Sequence, residues 1–182
     1  SGIAIFTLGL FKKIVIADSF GNWAEIGFQN AYTLNTVEAW MAAISFSLQI
    51  YFDFSGYVDM AIGSALLLNI RLPINFDSPY SAVDVREFWR KWHITLGSFF
   101  RENIYIPLGG NKRGILIECR NLIFTFGLVG LWHGASWTFV VWGAVHGIAV
   151  VFNLLWRQLN WEVHKFVAWF LTFLFVCMSW VF

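Results

Sequence analysis

An all-α, polytopic transmembrane fold is what this sequence predicts, and three observations predict it. The 182-residue chain is 58% apolar and only 13% charged, whereas a soluble domain carries about 25% charged residues. One residue in five is aromatic, with 20 Phe and 11 Trp. From Asn121 to Trp156 there is no Asp, Glu, Lys or Arg at all. A globule of this size could not cover its surface with so few charges. The net charge of +1 gives no electrostatic footprint for nucleic acid. Cys119 and Cys177 fit neither a disulfide framework nor a metal spacing.

The elements follow in order. Residues 3–17 are apolar but interrupted by Lys12-Lys13, a short span or an interfacial helix. Val37 to Ile70 is a long apolar region carrying Asp53, Gly56 and Asp59. Carboxylates at membrane depth are costly unless they pair, face a cavity or lose their charge. Phe52 to Tyr57 therefore reads either as a broken helix beside a polar interior, with Asp53 facing substrate, or as an interfacial junction of two shorter helices.

Basic residues then concentrate between Arg71 and Arg120, which the positive-inside rule assigns to the cytoplasmic side. Within that stretch Asp84 with Glu87 resembles a capping box. Val85, Phe88, Trp89, Trp92, Leu96 and Phe99 fall on one helical face, opposite Arg86, Glu87, Arg90 and Lys91. This predicts one amphipathic helix, interfacial or re-entrant, ended by a turn at Pro107 to Asn111. The uncharged run would be roughly 54 Å long as one helix, too long for a single crossing. It breaks at Gly134-Ala135-Ser136, giving helices at 114–132 and 137–157 with His133 at the junction. A further span starts near Lys165. The chain begins at Ser1 and stops inside an uncharged run, so a fragment is expected: one partial membrane domain over 1–182, without internal repeats.

Four histidines are the candidates for chemistry. His133 lies far from any formal charge, and a neutral imidazole there can serve as general base or as interhelical packing glue. Gly130 and Gly134 beside it form a small-xxx-small pair. His93, at about 80° from Val85 on a helical wheel, sits on the border of the apolar stripe. It can face a charged ligand or belong to an aromatic interfacial belt. His146, between glycines, reads as packing, and His164 as solvated. None has a partner at metal-ligand spacing. Arg86, Arg90, Lys91 and Arg101 can hold an anionic donor such as a phosphopantetheine carrier, or simply anionic lipid headgroups.

The ordered motifs resemble a known family. Tyr51-Phe52-Asp53-Phe54-Ser55-Gly56-Tyr57-Val58-Asp59-Met60-Ala61-Ile62-Gly63 is followed by Asn75-Phe76-Asp77-Ser78-Pro79-Tyr80. Then come Glu87-Phe88-Trp89-Arg90-Lys91-Trp92-His93-Ile94-Thr95-Leu96, Tyr105-Ile106-Pro107-Leu108-Gly109-Gly110-Asn111 and Leu131-Trp132-His133-Gly134-Ala135. Together, over about 50–150, they resemble the membrane-bound O-acyltransferase (MBOAT) family, in its bacterial alginate O-acetylation branch. Relatives in that branch acetylate peptidoglycan or transfer D-alanine to teichoic acid.

The resemblance implies a multi-helix fold with a central tunnel or funnel. It maps the family's essential histidine to His133 and a second functional histidine or asparagine to His93. It implies a multi-pass protein of the bacterial inner membrane, in contact with lipid, with no bound cofactor. The donor would be acetyl-CoA or another cytoplasmic acyl thioester, the acceptor an extracytoplasmic polysaccharide hydroxyl. A separate periplasmic acetyltransferase protein is the expected partner. Arg101-Glu102-Asn103 stands where relatives usually have Arg-Asp-Tyr, and Gly97-Ser98-Phe99 where they often have a polar residue and Trp. From another class, a transporter or channel with His133 as proton relay also fits the interrupted segments.

Overall fold

A computed structural model describes residues 1–181. Every regular element among the described residues is helical. The chain divides into two compact units, residues 1–75 and 76–180.

In the first unit, α1 (Gly2–Phe11), a π-helical segment (Lys12–Ala17) and α2 (Asp18–Gln29) run on without a break. The predicted short helix at 3–17 is thus only the first part of a longer one. It folds back on α3 (Thr36–Leu67), a 32-residue helix started by a capping box between Asn35 and Glu38. Glycines permit the contact. A Cβ on Gly9 would lie 2.6 Å from the Gly56 carbonyl oxygen, and one on Gly63 would lie 2.7 Å from that of Gly2.

The broken or two-helix reading of Phe52 to Tyr57 is overturned, because α3 passes through it unbroken. The physical reason is charge pairing. Lys12 Nζ donates to Asp59 Oδ2 at 2.6 Å, and Lys13 Nζ bonds Asp53 Oδ1. Both carboxylates are neutralised by lysines some forty residues away, so the helix has no need to open around them. Consecutive residues of an α-helix point 100° apart, yet the π-helical segment that begins at Lys12 lets both lysines reach α3. Asp59→Asn should lower stability by about 1–3 kcal/mol, and the swapped pair Lys12→Asp/Asp59→Lys should recover most of it. Thermal unfolding in detergent checks this. An Asp59→Asn variant as stable as the parent would show that the pair carries no weight.

In the second unit, Pro79–Ser81 forms a 3₁₀ turn, followed by α4 (Val85–Lys91) and α5 (Ile94–Phe100). A π-helical segment (Arg101–Tyr105) leads through the turn to α6 (Ile115–His133), α7 (Trp137–Gln158) and α8 (Lys165–Ser179). Helices α6 and α7 are long and apolar enough to cross a membrane. Their limits agree with the expected spans to within a residue.

The single amphipathic helix expected over 84–99 is not formed. Asp84 does cap it, accepting from the Glu87 amide at 2.8 Å, while the Glu87 carboxylate accepts from the Val83 amide at 2.9 Å. The helix then stops: Trp92 is extended (φ −101°, ψ 127°) and His93 is left-handed (φ 42°, ψ 57°). The break shifts the register of the apolar face. Phe88 and Trp92 are buried before it, and after it Phe100 is buried while Phe99 is 56% exposed.

Long-range hydrogen bonds fix these short pieces. Arg157 on α7 pairs with the Asp84 cap at 2.9 Å, and Trp169 on α8 donates to the Tyr80 carbonyl at 2.8 Å. Asn121, fully buried on α6, donates to the Leu108 and Gly110 carbonyls at 3.2 and 3.1 Å. That bond pair holds the predicted Pro107-to-Asn111 turn against the helix.

Candidate active site

The second unit contains a cavity of about 340 Å³, within the size range of small-molecule sites. Five parts of the chain build it. Helix α4 contributes Arg86, Trp89 and Arg90, which share one face because residues three and four apart are neighbours on a helix. His93 enters from the break before α5, and Arg101 and Tyr105 from the π-helical segment. Apolar side chains of α6 and α7, among them Phe126, Val129 and Val150, complete the wall.

Three of the four predicted basic residues therefore meet. Among the described residues, none of the Arg86, Arg90 and Arg101 guanidiniums is in an ion pair. Lys91 is not with them. It donates to Ser81 at 3.0 Å and pairs with Glu87 at 2.8 Å, and the pairing with Glu87 holds that carboxyl below its usual range. Asp53 belongs to the 1–75 unit, where Lys13 engages it.

Sequence reading did not single out Tyr105. Its hydroxyl donates to Glu118 at 3.3 Å. Burial first, then the Glu118 charge, pushes its pKa up to about 12, against the pull of Arg86 and Arg101. Tyr105 is thus a neutral donor at the rim of a cationic cavity.

His133 is the last residue of α6 and is exposed on the surface of its unit, with Gly134 extended behind it. Its ring packs edge-on against Trp132 and Trp142, with centroids 5.0 and 5.1 Å away. Trp132 in turn meets His93 at 6.4 Å. Two histidines remote in sequence thus flank one tryptophan, with His93 in the cavity wall and His133 outside its lining. Trp142 is 5% exposed, and its buried indole N–H has no protein acceptor among the described residues. Also among the described residues, no three His, Cys, Asp or Glu side chains cluster as metal ligands do.

Burial pulls the His93 imidazole below its ordinary value of 6.5, and the neighbouring His133 adds to this. The unfolded chain therefore takes up the proton first as the pH falls. The resulting stability is present above about pH 6.5 and lost as the pH falls through the folded-state value. The left-handed backbone adds a second constraint. Asn and His visit that region far more readily than β-branched residues, for which it costs about 1–2 kcal/mol or more. His93→Asn should keep the fold and flatten the loss of unfolding temperature between pH 7.5 and 5.5, whereas His93→Val should be destabilised by about 1–2 kcal/mol. A valine variant as stable as the asparagine one would remove the backbone argument.

The packing reading of His146 agrees with its place in α7. It is fully buried and hydrogen-bonded on both ring nitrogens, to Trp89 and Ser179.

The chain matches the model of the "MBOAT, membrane-bound O-acyltransferase family" over residues 1–182. It is 51% identical to the peptidoglycan O-acetyltransferase of Helicobacter pylori, over 100% of this chain and 35% of that protein. It is 45% identical to the "Probable alginate O-acetylase AlgI" of Pseudomonas fluorescens, over 99% of this chain and 36% of that one. With the teichoic acid D-alanyltransferase of Streptococcus thermophilus it shares 28% identity, over 87% of this chain and 41% of that protein. The chain spans about a third of the length of the first two relatives. A family match over residues 1–182 and an all-helical structure with two membrane-length helices agree: this chain belongs to the membrane-bound O-acyltransferase family.

Proposed function

We propose that the protein is a multi-pass O-acyltransferase of the bacterial inner membrane, with both units belonging to one acyltransferase domain. It moves an acetyl or similar short acyl group from a cytoplasmic thioester, such as acetyl-CoA, toward hydroxyls of an extracytoplasmic polysaccharide. Acetyl rather than D-alanyl is favoured because the relatives named for O-acetylation are 42–51% identical and those named for D-alanyl transfer 26–28%. A separate extracytoplasmic transferase completes delivery to the polymer.

In this reading His133 takes the proton of the acceptor hydroxyl as its oxygen attacks the thioester carbonyl. His93 orients the acceptor or donates to the oxyanion that forms. The tetrahedral intermediate then expels the thiolate of the donor, which leaves toward the cationic cavity. The transporter reading is weaker, since Asp53 and Asp59 are engaged by Lys13 and Lys12.

The observation that carries the proposal is the cavity itself, lined by Arg86, Arg90 and Arg101, none ion-paired among the described residues, and by His93. Charge-assisted contacts from Arg to phosphate suit a phosphorylated thioester donor. Arg86→Gln, Arg90→Gln and Arg101→Gln should each raise the apparent KM for acetyl-CoA about tenfold, one lost charged contact each. Lys91→Gln should change it little. The check is polysaccharide acetyl-ester formation in membrane vesicles against donor concentration. Unchanged KM in all three arginine variants would separate the cavity from donor binding.

A further inference from the structure

Val176, Ser179, His146 and Trp89 form one hydrogen-bonded chain inside the 76–180 unit. Ser179 Oγ donates to the Val176 carbonyl at 2.7 Å, and His146 Nε2 lies 2.9 Å from Ser179 Oγ. At the other side of the ring, Trp89 Nε1 donates to His146 Nδ1 at 3.2 Å. An indole N–H can only donate. Nδ1 is therefore the acceptor, and the ring proton of the neutral imidazole sits on Nε2.

That assignment decides what the pair can do. Ser179 and His146 have the spacing of a nucleophile and its base, but Nε2 carries a proton and has no lone pair to take one from serine. The serine proton is committed to Val176, and the two side chains are 2% and 0% exposed. The dyad is closed to acyl-serine chemistry in this arrangement.

What remains is the Trp89 bond. Trp89 lies between Arg86 and Arg90 on α4 and lines the cavity with them. Helix α4 has only seven residues, too few to hold an orientation by its own backbone bonds. Its rotation is set by what grips it: Arg157 holds the Asp84 cap at its start, Phe88 is buried, and Trp89 bonds a histidine that both α7 and α8 immobilise. We propose that His146 is a positioning residue: through Trp89 it fixes the rotation of α4 and so holds Arg86 and Arg90 toward the cavity. The inference rests on reading the cavity as the donor site.

The test uses the whole protein in inverted membrane vesicles, with acetyl-CoA as the probe donor and polysaccharide acetyl esters as product. His146→Leu removes both ring bonds and should raise the donor KM about tenfold, the equivalent of one lost hydrogen bond at its upper range. The kcat should stay within about twofold and the pH profile should not move, because the imidazole exchanges no proton in turnover. Trp89→Phe should raise KM alike, and adding it to His146→Leu should have little further effect. His146→Gln, with an acceptor and a donor on one planar group, should recover most of the loss. If His146→Leu does not accumulate, Trp89→Phe alone must show the KM rise.

A fall in kcat at constant KM, a shifted pH profile or additive effects of the two substitutions would each overturn the proposal. Arg86→Gln and Arg90→Gln tell the two failures apart. If they raise KM and His146→Leu does not, the positioning role alone falls. If they leave KM unchanged, the donor-site reading falls and takes the positioning role with it.

Discussion

Replacing His133 by alanine should lower polysaccharide O-acetylation by at least about 10²-fold at an unchanged amount of membrane protein, the scale of a lost general base. The expectation comes from where the ring sits. His133 closes α6, exposed, with an extended glycine behind it. Its removal leaves the close backbone approach of α6 and α7 at Gly130 and Gly143 and the Asn121 anchor in place. Packing glue behaves differently, as His146 illustrates: buried, bonded on both sides, and costly to remove whatever the chemistry. A general base at position 133 thus predicts loss of acetyl esters with the unfolding temperature unchanged. Interhelical glue predicts the reverse. Acetyl content and thermal unfolding, measured on the same His133→Ala membranes, separate the two, and undiminished acetylation would sink the base. His93→Ala should be less severe in rate, because an orienting or oxyanion-binding group shares its work with other donors.

Such a test is possible because much of this unit was legible in the chain. The limits of α6 and α7 follow from an uncharged run too long for one crossing and a Gly-Ala-Ser break inside it. The Asp84 cap and the Pro107-to-Asn111 turn were equally local and equally readable. Two features were not. The continuity of α3 depends on Lys12 and Lys13 reaching Asp59 and Asp53 across forty or more residues, and no local pattern announces such a pair. The stop at Trp92-His93 rests on one left-handed residue of a type that ordinarily continues a helix. Hydrophobic periodicity reports which face is buried and says little about a single backbone torsion.

The candidate site divides in the same way. Residue type alone picked out His133, His93 and the basic cluster, because imidazoles and guanidiniums are conspicuous in so apolar a chain. Which of them meet is a tertiary fact. Arg86, Arg90 and Arg101 converge because the break before α5 and the π-helical turn fold the chain back on itself, while Lys91 is turned away by its i,i−4 partner Glu87. Tyr105 and Trp142 are not singled out as site residues, since one more Tyr or Trp carries no signal in a sequence with 20% aromatic residues. The small-xxx-small pair was half right. Gly130 does meet a helix backbone, whereas Gly134 faces only the flexible ring of Phe139.

That difference sets the second large effect. A Cβ on Gly130 would fall inside van der Waals contact with the Phe139 carbonyl oxygen and 3.3 Å from the Gly143 Cα; one on Gly143 would strike the Phe126 carbonyl. These are backbone atoms of the facing helix and cannot step aside as a side chain can. Gly130→Ala should therefore force α6 and α7 apart, at about 1–3 kcal/mol or more. It should also silence acyl transfer without removing any reactive group. The link is geometric: His133 on α6 packs against Trp142 on α7, so separating the helices removes the support that seats its imidazole. Gly127→Ala, one turn earlier, is the control. Nothing lies within 4 Å of its added Cβ, and the helix gains about 0.5–1 kcal/mol from losing a glycine. Unfolding temperature should fall in Gly130→Ala and rise in Gly127→Ala, and acetyl-ester yield should be lost in the first and kept in the second. Close approach of these helices would be irrelevant to the site if Gly130→Ala kept full activity while its stability fell.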